Sequence, residues 1–179
     1  MITREQEIWL AHLDDTNSIE IFPYDTEAGD KFKRIKKLLV SVLGEGNNII
    51  HRGASSLGIS GQKEIDIYIP VAVEMFNSML PALEQVFGIP RSHYPLERAC
   101  YVATVDGTKV EIFVINNQSK GWLDGLIFET YLKENRDSLD EYQTLKEKSA
   151  GLSTQKYYYK KIEFINDVLI KALDIKSTI

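Results

Sequence analysis

The sequence has a single cysteine, Cys100, so no disulfide can close within the chain. Cysteines and histidines do not cluster at the spacing of a zinc site either. Both absences point to a reducing compartment. No apolar run reaches the ~18 residues that a membrane-spanning helix needs. The opening stretch MITREQEIWLAHLDD is too charged for a secretion signal. The expectation is a cytoplasmic protein with no membrane partner. Internal repeats and low-complexity tracts are missing. So is any surplus of positive charge: 26 acidic against 21 basic residues leave a net −5, which removes the general attraction to duplex nucleic acid. The one basic cluster, Lys31, Lys33, Arg34, Lys36 and Lys37, reads as the solvated face of a helix.

What is present suits one domain over 1–179 with a real core. A short helix is expected from Arg4 to Leu13, with Ile8, Trp9 and Leu13 inward. Ser18–Tyr24 reads as extended, ended by Pro23. A helix capped by Thr26 should run to Leu43, with Phe32, Ile35, Leu38, Leu39 and Val42 on one face, and Gly44 stopping it. Strands follow at 48–52 and 64–70 around a polar loop. A helical pattern covers 71–87, where Pro81 must start a turn or bend the axis. Strands at 99–105 and 108–115 are joined by Asp106-Gly107, a two-residue hairpin turn. Helical spacing then fills 118–135, 138–149 and 154–173. This order predicts an α/β (α+β) fold: a small mixed sheet flanked by helices.

Two acids interrupt the strand Glu64-Ile65-Asp66-Ile67-Tyr68-Ile69. Residues i and i+2 of a strand share a side, so Glu64 and Asp66 project together while the isoleucines face the core. Their mutual repulsion calls for a cation between them, and a hard ion such as Mg²⁺ is the usual one. A third acid, Glu111, lies in a strand apolar on both faces, as a central strand is. Buried there, it needs a partner: the same metal, a lysine or an arginine. If the two strands are neighbours, three carboxylates converge.

The loop Gly53-Ala54-Ser55-Ser56 follows a strand directly. Glycine lets backbone N–H groups approach a phosphate and serine adds donors. The spacing is not that of a P-loop, because Ile59 stands where lysine is required, nor of a nucleophile elbow, whose closing glycine is missing. A strand, a Gly-Ser loop, acid-apolar-acid on a second strand and an acid on a later one resemble the nucleotidyltransferases of the DNA polymerase beta-like superfamily. Pro23-Tyr24-Asp25, His51 to Ser56, Lys63 before Ile65-Asp66-Ile67, Phe128/Tyr131/Leu132, Tyr142/Leu145/Lys146 and Tyr157/Lys161/Phe164/Ile165 narrow this. In order and spacing they resemble the GrpB (glutamate-rich protein B) family of that superfamily, from about Pro23 to Ala172. Arg52, Ala54 and Glu129 depart from the family pattern, as does Glu111 where the late strand often carries histidines.

The resemblance implies transfer of a nucleoside monophosphate from a nucleoside triphosphate to an acceptor hydroxyl, with a small molecule as the expected acceptor. It implies Mg²⁺ (or Mn²⁺) on Glu64, Asp66 and Glu111 as catalytic and metal residues. Gly53, Ala54, Ser55, Ser56 and Lys63 would hold phosphates. Tyr157 and Lys161 would join them from C-terminal helices covering the site. Arg52 and His51 are further candidates there, and Trp122 and Tyr157–Tyr159 offer rings for a base. The alternative is a catalytically degenerate module of the same fold that binds a nucleotide or phosphate without turnover, which Arg52, Ala54 and Glu129 favour.

Overall fold

Alternation along Ile65, Ile67, Ile69 and Val71, all buried, builds the strand around which the core forms. The computed structural model describes residues 1–177. The elements, in order, are α1 (Arg4–Ala11), α2 (Ala28–Leu43), β1 (Ile50–Arg52), α3 (Gly53–Leu57), β2 (Glu64–Val71), α4 (Phe76–Phe87), β3 (Ser92–Tyr94), β4 (Arg98–Val105), β5 (Thr108–Asn116), α5 (Lys120–Glu134), α6 (Arg136–Lys148) and α7 (Thr154–Ser177). The protein is thus mixed α/β, as the sequence predicts. No helix among the described residues is long and apolar enough to cross a membrane.

The chain divides into two compact units. The sheet unit comprises residues 24–59 and 63–123, and the helical unit residues 1–23, 60–62 and 124–179. In the sheet unit five strands lie in the order β1-β2-β5-β4-β3. β2 and β5 are parallel and the other neighbours antiparallel. One face of the sheet is apolar: Ile65, Ile67 and Ile69 of β2, Val110, Ile112 and Val114 of β5, and Ala99 and Tyr101 of β4. It packs with Ile35 and Leu39 of α2 and Phe76, Leu80 and Leu83 of α4 in a single core. The period of 3.6 on the helices and of 2 on the strands brings these side chains to one layer.

Several local expectations shift. β2 runs on to Val71, because Val71 still pairs with Asn116, so α4 begins only at Phe76 after a 3₁₀ turn at Val73–Met75. Pro81 sits inside α4. Thr26 does not cap α2; Glu27 is the N-cap, its side chain makes no capping hydrogen bond, and its amide donates to the Asp25 carboxylate. β3 is three residues long, too short to show in an alternation pattern. Asp106 and Gly107 both have positive φ (49° and 72°), as the predicted hairpin turn requires.

In the helical unit Thr3 and Gln6 form a reciprocal capping box at the start of α1. Leu10 is the buried residue of α1, and Ile8 is exposed. Ser18–Tyr24 does not form a strand; it makes isolated bridges at Ser18–Ser153 and Phe22–Gly61. Phe128, Tyr142 and Phe164 stack into an aromatic cluster.

Candidate functional site

The parallel pairing of β2 with β5 aligns Glu64 with Lys109, Asp66 with Glu111 and Tyr68 with Phe113. Partners across a ladder share a face, so the three acids lie together on the side of the sheet opposite the apolar core. The adjacency that the sequence leaves conditional is present, and the two strands are in register. What stands between the acids is a lysine. Lys109 Nζ is 2.6 Å from Glu64 Oε2 and 3.3 Å from Glu111 Oε1. Arg91 closes the other side: Nη1 and Nη2 donate to the two oxygens of Glu111 at 2.8 and 2.9 Å, a fork-to-fork pair.

Burial of Glu111 pushes its carboxyl up, but the hydrogen bonds and charge of Arg91, joined by Lys109, outweigh it and hold the group below the ordinary carboxylate range. Burial alone would lower Lys109, and the carboxylates of Glu64 and Glu111 raise it instead. Burial, which favours the neutral thiol, pushes Cys100 up to about 11 despite the charge of Arg91 beside it.

This arrangement bears directly on a metal. Both oxygens of Glu111 are engaged by Arg91, and the ammonium of Lys109 bridges Glu64 and Glu111 where a shared cation would bind. Among the described residues no three Asp, Glu, His or Cys side chains gather as a metal-holding group. As arranged, the donor set does not fit Mg²⁺. Lys109 and Arg91 supply positive charge to Glu64 and Glu111 from the protein itself. Lys109 was legible, two residues before Glu111 on the same strand face. Arg91 was not, because nothing local ties a residue after Pro90 to a strand twenty positions on.

The Gly-Ser segment is a helical turn, α3, and not an open loop. Gly53 breaks the chain out of β1 with φ 74°, and a Cβ built there would collide with Asp66 Oδ2 and lie 2.9 Å from Asp66 Cγ. Asp66 thus rests directly on the glycine, which explains why this acid follows this turn. Ser55 Oγ is 2.9 Å from His51 Nε2, whose ring stacks on Phe32. His51 pairs with Ile67, so it belongs to the core side of the sheet. Ser56 Oγ donates to Gly53 O at 3.0 Å. Ala54 is half-buried, its carbonyl accepting the Ile59 amide. Lys63 enters β2 in a left-handed conformation, φ 59°, close enough for its charge to act on Asp25.

Arg52, in register with Asp66, is 4% exposed. Its guanidinium lies 5.0 Å from the Tyr68 ring and 4.9 Å from the Trp122 ring, a cation held against aromatic faces. Trp122 is accordingly buried over an arginine. Tyr157 and Lys161 belong to the helical unit. There Tyr157 is fully buried, with its hydroxyl accepting from Lys146 Nζ at 3.0 Å. Lys161 Nζ lies 5.2 Å from the Tyr158 ring.

A family model described as GrpB protein matches residues 18–171. The chain belongs to the GrpB family. Among solved structures, the conserved protein GrpB from Enterococcus faecalis is similar at 20% identity with a TM-score of 0.68, covering 87% of this chain and 98% of that one. At that identity the likeness establishes the fold. No curated protein matches this chain. In this GrpB chain, then, the carboxylate face of the sheet comes with its own counter-cations.

Proposed function

We propose that the sheet unit of this GrpB protein is a nucleotide-binding module of the nucleotidyltransferase fold, holding the phosphates of a nucleoside triphosphate without Mg²⁺-dependent turnover. The observation that carries this reading is the Lys109 bridge between Glu64 and Glu111, completed by Arg91. Three carboxylates alone would repel a triphosphate. Lys109 and Arg91 offset the charge of Glu64 and Glu111, and Arg52 lies in register with Asp66. Lys109 and Arg91 keep 44% and 54% of their side-chain surface exposed, so they retain donors for phosphate oxygens while paired to the acids. In this reading Gly53, which lies against Asp66, would meet the phosphates together with its neighbours Ala54, Ser55 and Ser56 and with Lys63. In this reading the ligand is met in the cytoplasm.

A second reading is transfer of a nucleoside monophosphate to the hydroxyl of a small acceptor, with Mg²⁺ or Mn²⁺ on Glu64, Asp66 and Glu111. The in-register pairing of Asp66 with Glu111 favours it. It requires Lys109 and Arg91 to leave the carboxylates.

Calorimetric titration with a non-hydrolysable nucleoside triphosphate, with and without Mg²⁺, separates the two. We expect equal affinity in both conditions, no pyrophosphate release from the hydrolysable analogue, and affinity roughly tenfold weaker in Lys109→Met from loss of a charged donor. Binding that needs Mg²⁺, with pyrophosphate release abolished by Glu64→Ala and Asp66→Ala, would establish the second reading. No binding in either condition would exclude both.

A further inference from the structure

The same sheet face carries another cation at its far end. Arg98 opens β4 opposite Tyr94 of β3 and Ile115 of β5. Its guanidinium lies 5.0 Å from the Tyr94 ring and 6.0 Å from the Phe113 ring. It is half-buried, yet among the described residues no carboxylate pairs with it. That contrasts with Arg91, whose charge is taken up by Glu111. Partial desolvation of a guanidinium is costly unless an anion compensates. Ring stacking satisfies the faces of the group but leaves its in-plane N–H donors for an anion.

Two further features mark the spot. Tyr94 keeps 42% of its surface exposed, although Arg98 holds one face of its ring. The turn between them places Leu96 at φ 59°, a conformation that a leucine adopts only when the surroundings hold it. Asn116 does the holding: its side chain donates to Leu96 O at 3.1 Å and its amide to Glu97 O at 2.9 Å. A rigid turn thus presents an aromatic ring next to a guanidinium with no acid on it. Arg91 stands on the same face, donating to Cys100 Sγ at 3.4 Å, and the charges of both arginines act on that thiol. On β5 Glu111 and Phe113, the residues these arginines touch, are two positions apart, about 7 Å.

We propose that Tyr94 and Arg98 form a binding site for a small aromatic anion, its phosphate or carboxylate on the Arg98 guanidinium and its ring against Tyr94. The site does not rest on the nucleotide reading, since none of its residues belongs to the carboxylate cluster. Phosphate and carboxylate ask the same of Arg98, two oxygens in the plane of the guanidinium, and are told apart by experiment.

The test is calorimetric titration of the full chain with phenyl phosphate, benzoate and inorganic phosphate. We expect saturable binding of at least one aromatic anion, with the preferred one of the two identifying the ligand's charged group. Arg98→Met should weaken it roughly tenfold or more, and Arg98→Lys should keep part of it. Tyr94→Leu should weaken the aromatic anion while leaving inorganic phosphate unchanged. Thermal melting of each variant checks that the fold survives. The proposal is overturned if neither aromatic anion binds saturably. It is also overturned if a folded Arg98→Met binds as the parent does, or if Tyr94→Leu leaves aromatic and inorganic anions equally unaffected. The probes carry no triphosphate, so this titration and the nucleotide titration fail or succeed separately.

Discussion

Gly53→Ala is expected to lower the stability of the protein by about 3 kcal/mol, a fall in Tm of roughly 6–12 °C for a chain of this size. Two effects add. The φ of 74° is strained for any residue with a Cβ, and that Cβ would collide with the Asp66 carboxylate. Gly58 is the control on the same turn. It has φ 72° at the end of α3, but a Cβ there meets nothing within 4 Å. Gly58→Ala should therefore cost only the backbone strain, about 1 kcal/mol. Differential scanning calorimetry of the two variants separates strain from collision. Equal losses would mean that Asp66 does not sit against Gly53.

Arg91→Met should be the most damaging substitution in the ion-pair frame, and its effect should depend on pH. Glu111 is buried, and removing the fork leaves its charge with Lys109 alone. Breaking a buried pair this way costs about 3–5 kcal/mol; with Arg91 more than half exposed and Lys109 still present, about 2 kcal/mol is expected at pH 7. The sign with pH follows from the direction of the Glu111 shift. In the parent its folded pKa is lowered. The pair therefore contributes stability above the carboxyl's unfolded pKa, and that contribution fades as pH falls through the folded value. In Arg91→Met, burial prevails and the Glu111 carboxyl rises, so the variant protonates first. The gap between parent and variant should begin to close as pH falls through the variant's raised Glu111 carboxyl and vanish below the parent's lowered one. Adding Glu111→Gln to Arg91→Met removes the stranded charge and should restore much of the loss at pH 7. Denaturant melts from pH 7 to pH 3 measure this. A gap that stays constant with pH would mean that Glu111 is not the group Arg91 neutralises.

How much of this was legible in the sequence differs by residue. The alternation in β2 set the side of Glu64 and Asp66, and Asp106-Gly107 set the hairpin that brings β4 against β5. Those signals are local and have a fixed period. The adjacency of β2 and β5 was an expectation that only the fold could supply, because the two strands are joined through α4, β3 and β4. The Gly-Ser segment reads as a phosphate loop by composition, yet it folds as a helical turn in which Ser55 bonds to His51 and Ser56 to Gly53. Serine hydroxyls satisfy whichever acceptor is nearest, and composition does not say which. The partner of Glu111 was open between metal, lysine and arginine. Lys109 was within reach of strand periodicity, whereas Arg91 arrives from a segment with no pattern. Arg52 departs from the family pattern noted in the sequence, and its surroundings accommodate it: the rings of Tyr68 and Trp122 accept its guanidinium.

Lys109 fills the space between Glu64 and Glu111, and Arg91 closes the far side of Glu111. Titration of Mn²⁺ into the protein without nucleotide, followed by the paramagnetic resonance of the free ion, reads this directly. Mn²⁺ should stay free up to millimolar concentrations in the parent, and the double variant Lys109→Met/Arg91→Met, which releases Glu64 and both oxygens of Glu111, should create a measurable site. Tight binding of Mn²⁺ by the parent, lost on Asp66→Asn, would contradict this arrangement.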